Sequence, residues 1–124
     1  MTVNVTTTTE IGRDVNTVAD FAMNPDNAPR WYVNIKSVRW ETPPPLGRGT
    51  RLTFVAHFLG RRLEYTYEVV QLEAHHRMVM RTAQGPFPME TTYVFERLGN
   101  DATRMTLRNH GSPSGFSRLV GPFP

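Results

Sequence analysis

The chain has 124 residues and a formal net charge of +3, from 14 basic and 11 acidic side chains, and it contains no cysteine. That length suits one domain with one real core. The composition excludes disulfide and thiolate chemistry, and no apolar run is long enough to span a membrane. Thirteen of the 14 basic residues are arginine, spread along the chain. A nucleic-acid surface needs them clustered on one face, so they read as a solvated surface and no nucleic-acid partner is expected. The opening MTVNVTTTTEIGRD lacks the basic-then-apolar layout of a signal peptide. With cysteine absent, a reducing, cytoplasmic setting is expected.

Thr2 to Ile11 alternates and is rich in β-branched residues, which predicts a strand. Asp14 has the character of a helix N-cap. Val15, Val18, Ala19 and Ala22 follow at helical spacing. Asn24-Pro25 ends that helix, because a residue before proline avoids the helical region. Asp26 to Trp31 reads as a short helical turn or loop. Ile35, Ser37, Arg39 and Glu41 then alternate with Lys36, Val38, Trp40 and Thr42, a strand with two distinct faces.

A long hairpin follows, from Gly49 to Leu72. With Gly60-Arg61 as a two-residue turn, Leu59 meets Arg62, Phe58 meets Leu63, Ala56 meets Tyr65, Phe54 meets Tyr67 and Leu52 meets Val69. The other face then pairs His57 with Glu64, Val55 with Thr66, Thr53 with Glu68 and Arg51 with Val70. One face is apolar and aromatic and the other mostly polar, and a slip of one residue would ruin both. His76 to Thr82 is the next strand. Met89 to Leu98 and Thr103 to His110 form a second hairpin around Gly99-Asn100-Asp101. There Phe95 faces Met105, Tyr93 faces Leu107 and Thr91 faces Asn109, while Glu96 meets Arg104 and Glu90 meets His110 outside. Consecutive antiparallel strands with helices at the ends predict an α+β domain spanning residues 1–124.

This order resembles the START-like helix-grip superfamily (SRPBCC), and within it the polyketide cyclase/dehydrase-like branch. The residues that carry the resemblance are the strand ending in Ile11, the helix from Asp14 to Met23, and Asn24-Pro25 followed by Trp31. Gly47-x-Gly49-Thr50, Phe58-Leu59-Gly60-Arg61, Tyr65-x-Tyr67-x-Val69 and Tyr93-x-Phe95 add to it. These are packing and turn signals rather than catalytic ones, so they speak for fold more than function. The resemblance implies a curved antiparallel sheet gripping a long C-terminal helix, with an apolar ligand held between them. Only about a dozen residues remain from Pro113-Ser-Gly-Phe to Pro124, roughly 18 Å if helical, against roughly 33 Å for a ten-residue strand. The C-terminal helix is therefore expected to be truncated, or to continue beyond this stretch. An uncovered apolar face is uncommon in a monomer, so association into a homodimer is expected.

The inward face collects Phe54, Phe58, Tyr65 and Tyr67 from the first hairpin. Met89, Thr91, Tyr93, Phe95, Met105 and Asn109 come from the later strands, with Met78 and Met80 or else Val79 according to the phase of their strand, and Trp31 from the connection. An ordinary core explains any one of these. Several hydroxyls and an amide on one apolar face are what ligand sites contain. The expected ligand-binding residues are therefore Trp31, Phe54, Phe58, Tyr65, Tyr67, Met80, Met89, Thr91, Tyr93 and Asn109, and the expected partner is a hydrophobic or aromatic small molecule. The alternatives are a cyclase or dehydratase using Tyr65, Tyr93, His110 and Glu90 for proton transfer, and an interaction module using the open face. His75 and His76 are adjacent at a turn, and no nucleophile or phosphate-loop context occurs. No metal, nucleotide or other cofactor is expected.

Overall fold

The computed structural model of the protein describes residues 3–33, 35–58, 60–85 and 88–111. The expected C-terminal helix falls after residue 111 and lies outside the described residues. Strand β1 is Val3–Ile11, followed by helix α1, Val15–Met23. A 3-10 turn, Pro25–Asn27, leads into the short helix α2, Ala28–Trp31. Six strands follow: β2 Ile35–Trp40, β3 Arg51–Phe58, β4 Arg61–Glu73, β5 Arg77–Gln84, β6 Met89–Arg97 and β7 Thr103–Gly111. All pair antiparallel in one curled half-barrel sheet of order β1-β7-β6-β5-β4-β3-β2. None of the described helices is long and apolar enough to cross a membrane.

Local chemistry sets the first half of the chain. Asp14 caps α1, accepting from the Thr17 backbone N–H at 3.2 Å and from the Thr17 hydroxyl at 2.6 Å. The stripe Val15, Val18, Ala19, Ala22 and Met23 is buried, as the helical period requires. Asn24 ends the helix and turns the chain, its side chain accepting from Asp26 N–H at 3.1 Å. Asn27 donates to the Phe21 carbonyl at 3.1 Å, satisfying one of the helix's last acceptors. The Trp40 indole donates to Asp26 at 2.8 Å and ties β2 to this turn.

The two hairpins answer the expected registers differently. In β6–β7 every expected pair is present: Phe95 with Met105, Tyr93 with Leu107, Thr91 with Asn109, Glu96 with Arg104, Glu90 with His110. In β3–β4 the faces are as expected but the register moves by two residues. Phe58 pairs with Arg61, Ala56 with Leu63, Phe54 with Tyr65 and Leu52 with Tyr67. Gly60, at φ 75°, is the second residue of the connection 59–60 rather than the first of a 60–61 turn. A shift of two keeps each side chain on its face, since the side-chain period is two. The outer pairs explain the choice. Arg51 now meets Glu68 at 3.2 Å and the Thr53 and Thr66 hydroxyls meet at 2.9 Å. The expected His57–Glu64 pair is corrected: His57 stands opposite Arg62, and Glu64 binds Arg62 at 2.8 Å.

In β2 the strict alternation is also corrected. A bulge between Ile35 and Ser37 changes the phase, so Ile35, Val38 and Trp40 all pack on the core. The core lies on the concave side of the sheet, where the buried stripe of α1 joins Met78, Met80, Phe95, Met105, Leu52 and Val69 in one cluster. Phe95, at 2% exposure, is among the largest fully buried side chains. Phe95→Ala is expected to cost about 3–5 kcal/mol in urea unfolding. Val5→Ala, at a side chain 54% exposed, is expected to change stability by about 0.5 kcal/mol or less.

Candidate functional site

Alternation in β4 and β6 places Tyr65, Tyr67, Thr91 and Tyr93 on the concave side. The turn after α2 brings Trp31 and Tyr32 over them. All four tyrosines of the chain, Tyr32, Tyr65, Tyr67 and Tyr93, thus share this region. Their rings meet as an aromatic wall. Phe54 and Tyr67 pack edge to face at 5.8 Å between centroids, Tyr65 and Tyr67 lie at 6.1 Å, and Trp31 meets Tyr93 edge to face at 5.9 Å. Gly85 gives the Tyr65 ring its place, because a Cβ there would stand 2.8 Å from Tyr65 Cδ1.

A polar chain runs across this wall. The Thr91 hydroxyl donates to Asn109 Oδ1 at 2.8 Å, and Asn109 Nδ2 donates to the Tyr32 oxygen at 2.9 Å. The Thr91 side chain also lies beside the Tyr67 phenol. Both donors point the same way, from Thr91 through Asn109 to Tyr32. The Tyr32 hydroxyl accepts at the end of the chain and keeps its own hydrogen for a further acceptor. Beside it, Trp31 Nε1 is buried with no hydrogen-bond partner among the described residues. A buried donor left unmade costs about 1–3 kcal/mol, so the Trp31 indole needs an explanation.

Burial pushes the phenols of Tyr32, Tyr65, Tyr67 and Tyr93 above their ordinary value of 10.0, Tyr67 to about 12. The wall is therefore neutral at physiological pH and offers hydroxyl donors rather than phenolate bases.

The expected site residues divide as follows. Trp31, Phe54, Tyr65, Tyr67, Thr91, Tyr93 and Asn109 come together here. Met80 is buried in the core beneath. Met89 sits at the end of the sheet, its N–H donating to the Thr82 hydroxyl at 2.9 Å. The Phe58 side chain lies outside the described residues. Glu90 and His110 stay apart from the chain of hydroxyls: Glu90 binds Arg81 at 2.7 Å and His110 is exposed. Tyr32 is the residue that sequence reasoning missed. Its signal was its position directly after Trp31, where the helix ends and neighbouring side chains can reach the same space. His75 adopts a positive φ of 61° in the β4–β5 turn and meets Asp20 at 2.7 Å. That pair borders a separate groove of about 330 Å³, lined by Met23, Pro25, Trp40, Leu46 and Leu72 among others.

The family model described as polyketide cyclase / dehydrase and lipid transport matches residues 2–123. The chain belongs to this family. Its fold is the START-like helix grip. A START superfamily protein from Mycobacterium smegmatis is similar at a TM-score of 0.77 and 18% identity, over 88% of this chain and 76% of that one. The Zhui aromatase/cyclase from Streptomyces sp. R1128 is similar at 0.76 and 13% identity, over 90% and 68%. A major latex-like protein from Panax ginseng is similar at 0.70 and 13%, over 96% and 90%. At these identities the likeness is one of fold. None of the curated protein sequences matches the chain.

The shared burial of the tyrosines has a direct readout. Folded values above the ordinary 10.0 mean that the unfolded state releases its phenol protons first as pH rises. This stabilisation is present in full below pH 10 and drains away as pH climbs toward the folded values. In a phenolate absorbance titration, no tyrosine of the native protein is expected to ionise at the ordinary midpoint, and stability should fall from about pH 10 upward. A normal titration of all four would contradict the buried wall.

Proposed function

We propose that this member of the polyketide cyclase/dehydrase and lipid transport family binds a hydrophobic, aromatic small molecule that carries an acceptor oxygen, on the concave face of its sheet. The observation that carries the reading is the pair of donors at Trp31 and Tyr32. Both lack an acceptor among the described residues, and both stand on an aromatic wall. A ligand carbonyl would accept from the Tyr32 hydroxyl, whose oxygen is already polarised by Asn109. The indole N–H of Trp31 is a second donor for the same oxygen. The rings of Phe54, Tyr67 and Tyr93 supply apolar contact and stacking area.

The sequence left open a cyclase or dehydratase. Such chemistry needs a proton acceptor in the site. The neutral phenols do not supply one, and the Glu90 carboxylate is engaged by Arg81. Binding is therefore the reading the geometry favours. The cysteine-free composition suits a reducing compartment.

Two matched probes test this. 2-Acetylnaphthalene carries the oxygen and 2-ethylnaphthalene does not. The parent should bind the ketone more tightly. Tyr32→Phe should weaken the ketone about three- to tenfold, one hydrogen bond's worth of ~0.5–1.5 kcal/mol, and leave the hydrocarbon nearly unchanged. Saturable binding of neither probe would overturn the reading. Equal losses for both would replace the hydrogen bond with plain packing.

A further inference from the structure

The sheet has two edges, and they are built differently. At one edge β2 is only six residues long, carries Lys36 and Arg39, and is broken by the bulge between Ile35 and Ser37. Short length, charge and a bulge are the usual means of keeping an edge from pairing. At the other edge β1 is nine residues long and pairs with β7 without a register shift from Val3 to Ile11. It has no proline or glycine, its one charged residue is Glu10, and Asn4 through Glu10 are all exposed. Such an edge offers an unbroken row of backbone donors and acceptors, with no proline or bulge in the strand to turn a partner away.

We propose that β1 is a docking edge for a second copy of this chain, joined antiparallel about a two-fold axis at Thr7, so that two half-barrel sheets become one. The residues are self-complementary in that register. Thr7 meets Thr7, Thr6 meets Thr8, Val5 meets Thr9, Asn4 meets Glu10 and Val3 meets Ile11. Threonine pairs and β-branched apolar pairs are favourable cross-strand neighbours. No glutamate faces a glutamate. Arg108 reaches from β7 to Asn4 at 2.9 Å. Glu10 of the second copy, standing across from Asn4, therefore meets a positively charged surround. The interface is isologous, as a two-fold dimer requires. A strand edge alone is smaller than the ~1,200 Å² of a stable complex, so the dimer is a reversible one. It uses the rim of the sheet and leaves the concave face to the ligand.

Sedimentation velocity over a concentration series tests the pairing. The parent should pass from monomer to dimer. Thr7→Lys puts two like charges face to face at the axis and should weaken association at least about tenfold. Thr7→Glu should do the same, and an equimolar mixture of the two variants should recover the dimer. Recovery requires both variants to be folded, so it separates charge from damage. In the parent, amide exchange in β1 should slow as concentration rises, while β2 stays unchanged. A parent that remains monomeric throughout would overturn the proposal. So would a Thr7→Lys variant that dimerises like the parent, or a dimer whose β1 exchange ignores concentration.

Discussion

The phase of side-chain alternation in β3, β4, β6 and β7 is the constraint on which the rest depends. It sends Leu52, Phe54, Val69, Phe95 and Met105 under the sheet, where α1 closes over part of them. The same phase sends Tyr65, Tyr67, Thr91, Tyr93 and Asn109 to that side. The core and the hydroxyl chain are thus two ends of one face. A face with hydroxyls needs partners for them, since an unmade buried hydrogen bond costs more than a made one contributes. Thr91, Asn109 and Tyr32 meet that need by bonding in sequence. Their common direction leaves the surplus donor at Tyr32, next to the Trp31 indole, which has no partner among the described residues. The binding reading grows from that surplus.

The convex side follows a different logic. Arginine and glutamate alternate there and pair across and along strands: Arg39 with Glu41 at 2.9 Å, Arg62 with Glu64 at 2.8 Å, Arg81 with Glu90 at 2.7 Å. These pairs are solvated and add little stability individually. Their effect is on register. Arg51 and Glu68 help choose between two β3–β4 registers that serve the core equally well. Arg81 and Glu90 pair across β5 and β6 on the outer face.

Much of this was legible in the amino-acid pattern, and the exceptions have physical causes. The β6–β7 register was readable because Gly99-Asn100-Asp101 sits between Leu98 and Ala102, and the bond from Leu98 N–H to the Ala102 carbonyl, 2.9 Å, closes it. The β3–β4 register was readable only to within two residues. A glycine with positive φ fits either position of a two-residue turn, depending on turn type. The bulge in β2 was not readable, because an extra residue erases the period that reveals a strand. Tyr32 escaped for a related reason: the connection after α2 has no period, and tertiary packing alone aims its side chain. The inward facing of Met78 and Met80 became clear only with the β5 pairings.

The two tryptophans offer the most direct measurement. Trp31 lies on the aromatic wall with its N–H unpartnered among the described residues, and Trp40 donates to Asp26 at 2.8 Å beside the separate groove. Their indole N–H signals can be followed together by proton–nitrogen NMR as 2-acetylnaphthalene is added. The Trp31 signal is expected to move saturably, downfield as it gains an acceptor, while the Trp40 signal holds still. Saturable binding that moves Trp40 and leaves Trp31 in place would put the ligand in the other groove and contradict a site on the concave face.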